Sequence, residues 1–359
     1  MLTARSERSS AAPSTAGTAE LAALVTTVRE HPGLSAKSVI GLVSEVFGPS
    51  DWLGGPGDDG AAVPLAGTNV VVCGEALLPR FVQADPFGAG IAAVLTNVND
   101  LAAMGATPLG IVDTIAADDD TARRVLEGIR HGCELYAVPL LGGHLTRHAG
   151  EPSLSAFGVG STGHPLSVAN IRPGQSLVVA CATDGDLRAD FPFFRSFEVR
   201  AGDVAGDVGV LAEVAASGAC VAAKDVSMAG LVGSLAMLLE HGRFGATVDL
   251  DVLPRPAGVP LDRWLTCFPS FGFLLCVPPG SEDACTRPFR ARGLRAEVVG
   301  EIDSTGEVAL RRGSDRLVAI DLAGDRVTGL RRVQAAHRDT NEKAVPARPE
   351  EHGVDFPHF

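Results

Sequence analysis

The chain has 359 residues, 46% hydrophobic and 20% charged, with 42 glycines and a formal net charge of −13. That length can bury two ordinary cores, so two domains are the starting expectation. The acidic balance and the scarcity of aromatic residues argue against a nucleic-acid partner or an anionic membrane surface, which need clustered Lys and Arg.

In chain order, the first 17 residues are rich in Ser, Ala and Thr and read as disordered. Apolar spacing predicts amphipathic helices over Ala19 to Glu30 and Ala36 to Phe47. A glycine-rich loop, GGPGDDGAAV (54–63), leads to a strand over 69–75. The segment from Asp85 to Gly105 is apolar on every face, as a buried helix is. A strand over 108–115 precedes a helix over 119–136, whose N-terminus three aspartates favour. Strands over 139–145 and 152–163 flank a polar loop, and the two prolines and turn residues of 164–175 mark a domain boundary.

Beyond the boundary come a strand over 176–182, helices over 208–217 and 231–240, and strands over 246–250, 271–277, 296–300, 308–311 and 317–321. This alternation reads as α+β or α/β. The expected division is therefore an N-terminal domain over 18–165, a C-terminal domain over 170–332 and a polar tail over 333–359. No apolar run is long enough to span a bilayer, because the longest candidate is broken by Asn and Asp. The polar start lacks a signal-peptide core, which points to the cytoplasm. Seven cysteines, an odd number with no CxxC pair, speak against a disulfide framework or zinc ribbon and for small buried hydrophobes.

Within the apolar helix, TNVNDLAAMGATP (96–108) places Asn97, Asn99 and Asp100. A buried amide or carboxylate without a partner costs about 1–3 kcal/mol, and a true charge more. Asn97 and Asp100 share a helical face and Asn99 points away from both. Such a stripe fits a wet or ligand-lined pocket and fits equally well a set of caps on neighbouring elements. Two further acidic motifs stand among small residues. GDDGAAV puts Asp58 and Asp59 in a loop with free amides, although Gly-Asp-Asp is also simply a good turn. AAKDVSMAGL (222–231) puts Asp225 at the end of an apolar stretch, with Ser227 placed to cap a helix. Hard oxygen ligands without His/Cys clusters suit Mg²⁺ and, through it, phosphates. There is no Walker A sequence, no GxGxxG after a strand and no GxSxG. In GGHLTRH (142–148) the spacing of His144 and His148 would suit a helical metal pair, but the preceding glycines, β-branched Thr146 and the lack of an HExxH glutamate speak against it. The glycines instead allow close backbone approach, which a phosphate can use, beside a pocket-lining His144.

The order of these motifs resembles the aminoimidazole ribonucleotide (AIR) synthetase superfamily: GDDGAAV, a strand ending in an acid, NVNDLAAMGATP, LLGGHL, FGVGSTG, KDVSMAGL and SFGFLLCV. That group includes thiamine-monophosphate kinase, selenophosphate synthetase, the hydrogenase-maturation carbamoyl dehydratase and formylglycinamidine synthase. The resemblance covers about residues 50 to 330 and implies an α+β architecture: an N-terminal α/β domain forming a dimeric β-barrel and a C-terminal α/β domain. It also implies ATP held near the interfaces, bridged by Mg²⁺ to acids. Carried over by motif, the metal-binding residues are Asp58, Asp59, Asp100 and Asp225, with Glu75 where the family usually has Asp. Asn97, Asn99, Gly142 and Gly143 fall at nucleotide-binding positions, and His144 is a catalytic candidate because of where it falls. His144 and Leu145 replace the GGDT acid of two branches, and Met228 replaces an acid of the DxSDG pattern. The cysteines on which the selenophosphate and hydrogenase-maturation branches depend have no match. The resemblance thus implies a separate subgroup: an ATP- and Mg²⁺-dependent homodimer that activates an amide or carboxylate oxygen of a small molecule by phosphoryl transfer. The alternatives are a non-catalytic nucleotide-binding scaffold serving a partner enzyme and a kinase of the thiamine-monophosphate type.

Overall fold

The structure, a computed structural model, describes residues 15–48, 57–189 and 191–330. The expected disordered start up to residue 14, the tail over 333–359 and the first three residues of the glycine-rich loop lie outside them.

The N-terminal part opens with α1 (Thr15–Arg29), α2 (Pro32–Ala36), a 3-10 turn over Lys37–Gly41 and α3 (Leu42–Phe47). The single helix expected over 36–47 is therefore broken. It leaves Val39, Leu42, Val46 and Phe47 exposed, so no continuous buried face holds it straight. Next come β1 (Ala61–Leu65) and β2 (Thr68–Leu77), a hairpin turning on Ala66 and Gly67, both at positive φ (45° and 87°). Such a pair is what a tight two-residue hairpin requires. The loop expected over 54–63 thus gives way to β1 already at Ala61, a short apolar run that Gly-Asp-Asp-Gly and Pro64 mask in the sequence.

Then follow α4 (Pro79–Ala84), α5 (Pro86–Ala103), β3 (Thr107–Ala117), α6 (Asp119–Tyr136), β4 (Leu140–Arg147) and β5 (Ser153–Thr162). Helix α5 starts where the Asp85 carboxylate accepts from Gly88 N at 2.8 Å, with Pro86 in its first turn. Asp118 caps α6 in the same way, accepting from the amides of Asp120 and Thr121 at 3.0 and 2.9 Å. The strands form a five-stranded sheet in the order β1-β2-β5-β3-β4, antiparallel except for β3 beside β4. Among the described residues this sheet is open within the single chain.

The C-terminal part runs β6 (Ser176–Cys181), β7 (Asp186–Leu187), β8 (Phe193–Arg195), α7 (Val204–Ala216), β9 (Ala222–Asp225), α8 (Gly230–Glu240), β10 (Gly245–Asp249), α9 (Leu261–Thr266) and β11 (Phe268–Pro269). It continues through β12 (Gly272–Val277), α10 (Glu282–Ala291), β13 (Arg295–Asp303), β14 (Glu307–Arg312) and β15 (Asp315–Asp321). Seven strands form one sheet, β15-β14-β10-β13-β6-β12-β9, and β11-β8-β7 form a small second one. Ser227 does not cap α8: the cap position is Ala229, and the Ser227 hydroxyl is buried without a partner.

Helices α5 and α6 cover one face of the five-stranded sheet and pack against α7, which with α10 covers the seven-stranded sheet. One apolar core, from Val94 and Ile129 to Leu211 and Phe273, therefore runs through both halves. On the far face of the seven-stranded sheet, α1, α8 and α9 enclose a second core around Leu21, Leu235, Trp264 and Leu274. The expected boundary put α1 with the N-terminal domain, but Leu21, Leu24 and Val28 pack on the C-terminal sheet, and Thr18 donates to Asp315 at 2.8 Å. Buried Asp207 clamps α7 to α10, accepting from Arg200 at 2.7 and 3.1 Å and from Arg292 at 2.7 Å. Among the described residues no helix is long and apolar enough to cross a membrane.

A candidate cation site between the two sheets

Three carboxylates from three distant points of the chain meet where the two halves touch. Asp59 comes from the loop before β1, Asp100 from the last turn of α5 and Asp225 from the end of β9, and oxygens of all three lie within 4.8 Å of one another. β9 is an edge strand, paired to β12 with Asp225 opposite Phe273, so its end is open to Asp59. The amide of Asp225 donates to Asp59 Oδ2 at 3.0 Å, and Lys224 Nζ ion-pairs with Asp59 and lies 3.5 Å from Asp225.

The electrostatics are unfavourable without a further positive charge. Two like charges about 4.8 Å apart repel by roughly 3–4 kcal/mol at an effective dielectric of about 20. Burial raises the Asp100 carboxyl well above the usual range, and Asp225, Asp59 and Glu75 raise it further against the pull of Lys224. Its place in the last turn of α5 adds the negative end of the helix dipole. Asp225 is pushed up to about 7, by burial first and then by Asp59, against Lys224 and Lys37. Glu75 on β2 is exposed at the edge of the group, yet surrounding protein raises its carboxyl while Lys37 and Lys224 pull it down. Burial alone would lower Lys224, but Asp59 and Asp225 outweigh it and hold the ammonium above its ordinary value.

With all groups ionised, four carboxylates face two lysines, a deficit of two positive charges. Two protons or one divalent cation would fill it. The donor set is all hard oxygen. Those features fit an oxygen-seeking cation such as Mg²⁺.

The other sequence candidates are placed as follows. Asp58 lies outside the trio, because its carboxylate accepts from Ser167 Oγ and Val168 N, both at 2.6 Å, and so ties the loop to the inter-domain turn. Asn97 is enclosed between α5 and the sheet, donating to Ala93 O at 2.8 Å and accepting from Cys73 Sγ at 3.3 Å, so it faces packing rather than an open site. Asn99 turns the other way and donates across the halves to Ser270 O at 3.1 Å. Gly142, Gly143 and His144 lie on exposed edge strand β4, in register with Val112, Asp113 and Thr114, and are not brought to the carboxylates within this chain. The group that approaches Gly143 is the Asp113 carboxylate: a Cβ there would meet it at 1.6 Å.

Sequence reasoning passed over Lys224 and Lys37. Lys224 sits directly before an acid in an apolar run, and a lysine that cannot be solvated there must be paired; that was the available signal. The sequence around Lys37 gives no such sign.

Two domain models account for most of the chain: AIR synthase related protein, N-terminal domain, over residues 57–162, and its C-terminal domain over 183–313. The chain belongs to the AIR synthase-related family. An uncharacterized protein of Synechocystis sp. is 32% identical over 276 residues, covering 76% of this chain and 86% of the relative. Within the family, the fold superposes on T. maritima PurL complexed with AMPPCP at a TM-score of 0.67 and 18% identity, covering 94% of this chain and 58% of that one. AaThiL complexed with AMPPCP and TMP superposes at 0.59 and 20% identity, over 76% and 93%. This AIR synthase-related chain thus spans somewhat over half the length of PurL and nearly all of the shorter ThiL.

Proposed function

We propose that this chain is an ATP- and Mg²⁺-dependent enzyme that activates an amide or carboxylate oxygen of a small molecule by phosphoryl transfer. The observation that carries the reading is the Asp59, Asp100 and Asp225 group, assembled from both halves and, counted with Glu75, Lys224 and Lys37, short of two positive charges. The bound nucleotide analogues in the PurL and ThiL structures support ATP as the phosphoryl donor. Asp59, Asp100 and Asp225 would hold the cation, with Glu75 at its edge. The cation would neutralise phosphate charge during transfer. Lys224 fixes the Asp59 carboxylate, and Lys37 lends positive charge near Glu75. No covalent enzyme intermediate is needed, since positioning and charge neutralisation are the main demands of phosphoryl transfer.

A homodimer is part of the proposal. The face of the five-stranded sheet turned away from α5 exposes Val63, Val72 and Phe157, an apolar surface that a second copy would cover by completing a barrel. In that arrangement β4, with Gly142, Gly143 and His144, would meet the partner subunit. The seven unpaired cysteines are in keeping with action in the cytoplasm.

The Lys224–Asp59 ion pair favours a second reading, a nucleotide-binding scaffold without turnover, because it already satisfies part of the acidic charge. Calorimetric titration of ATP with and without Mg²⁺, on wild type and Asp100→Ala, separates the readings. Mg²⁺-dependent binding that the substitution weakens is the expected result. Absence of binding to wild type overturns both; binding without phosphate release on any substrate leaves the scaffold.

A further inference from the structure

On the other end of α5 lies a cavity of about 190 Å³ that the carboxylate site does not use. Its wall is unusual in a chain with few aromatic residues: Phe81, Phe87, Phe191, Phe193, Phe197 and Phe268 all line it. These rings hold one another in place, with Phe193 stacked on Phe268 at 5.0 Å and Phe191 edge-on to Phe268 at 5.5 Å. An apolar cavity of about 150 Å³ accepts benzene, so this one has room for a single planar ring and a small substituent.

One polar group in the wall has work outstanding. Arg195 lines the cavity and pairs through Nη1 with Glu198 at 3.3 Å, but its Nε is buried with no hydrogen-bond partner. The neighbouring acid Asp85 is engaged as the cap of α5. A buried guanidinium donor without an acceptor is costly, and a carboxylate or carbonyl oxygen on a ligand would answer it.

The cavity also points toward the chemistry. Thr96 lines it, and Asp100 lies one helical turn further along α5, about 6 Å in rise. The wall carrying Arg195 is tied to the same turn: Ser196 N donates to Ser270 Oγ at 2.9 Å, and Asn99 donates to Ser270 O. We propose that this phenylalanine-lined cavity binds the planar aromatic ring of the substrate, with a carboxylate or carbonyl oxygen on Arg195 directed along α5 to the acidic site. This names the substrate class as single-ring aromatic acids or amides. It rests on the proposed function for the reaction, though not for the binding.

The test uses benzoate and nicotinate as probes, with hexanoate (acid, no ring) and benzyl alcohol (ring, no acid) as controls. Binding to the full chain without nucleotide is read by ligand-observed saturation-transfer NMR. At least one ring acid should bind, Ala92→Leu should abolish that binding by filling the cavity, and Arg195→Gln should weaken it by about tenfold or more. If Ala92→Leu lowers the unfolding midpoint by several degrees, Thr96→Leu takes its place. Both variants should still bind ATP with Mg²⁺, so loss of ring binding alone is distinct from failure of the ATP reading. The inference is overturned if no ring acid binds a protein that does bind ATP, if the filled variant binds as wild type does, or if either control binds as well as the ring acids.

Discussion

The two large sheets bury their strands differently. In the seven-stranded sheet, alternate residues of β12 serve opposite cores: Phe273 and Leu275 on one side, Leu274 and Cys276 on the other. Every residue of GFLLCV is buried. The five-stranded sheet has α5 and α6 on one face only, and β5 alternates, with Leu154 and Ala156 inside and Phe157 45% exposed. A sheet finished within one chain and a sheet finished on one face only thus lie side by side. The acidic site falls where they meet, held by the helix that covers the unfinished one.

The largest expected effect comes from the finished sheet. Phe273→Ala, at a fully buried ring, should cost about 3–5 kcal/mol of unfolding free energy in a denaturant titration. The same change at Phe157 should cost less than about 1 kcal/mol in a dilute monomer. A midpoint for wild type that rises with protein concentration, and ceases to do so in Phe157→Glu, would show that the open face is closed by a second copy.

Next in size, Asp100→Asn should stabilise the cation-free protein at pH 7 by about 1–3 kcal/mol, because folding no longer has to bury or protonate a carboxylate there. It should at the same time lose Mg²⁺-dependent ATP binding, and a destabilised Asp100→Asn would contradict the charge argument. The pH dependence follows from the same groups. Asp100 and Asp225 hold protons in the folded state that the unfolded chain has already released, so without cation stability should fall as pH rises above about 4, through the Asp225 value of about 7, until the raised Asp100 carboxyl has ionised as well. Added Mg²⁺ should raise the thermal midpoint more at pH 8 than at pH 5, where protons compete for the same oxygens. A midpoint that climbs with pH in its absence would break the assignment.

The smallest effect concerns the cysteines. Burial raises all seven thiols, with Cys181, Cys267, Cys276 and Cys285 pushed up to about 12. Disulfide reagents at pH 8 should therefore label the native protein slowly and the unfolded protein at once.

Much of this was legible in the sequence where a period or a cap was strong. α6 begins and ends where its apolar spacing and aspartates placed it, and β12 and β5 show their two burial patterns as a continuous run and an alternation. Asp100 stood out because a carboxylate in an apolar helix needs a reason. The small sheet of β7, β8 and β11 was not legible, since strands of two or three residues carry no period. The charged segment EDACTRPFRA hid α10 behind Pro288, and β9 hid behind its Lys-Asp end. What Lys37 does is set by Glu75 and Asp225, far away in sequence, which no local pattern records.

The docking of α1 has a consequence for how the protein is made. Thr18 reaches Asp315 across 297 positions, so the helix emerges from the ribosome long before the strand that receives it. At about 5–20 residues per second, the interval is roughly 15–60 s. Throughout it the stripe of Leu21, Leu24 and Val28 has no sheet to cover it, and the nascent chain carries a ready binding surface for holding chaperones until its last strand is synthesised.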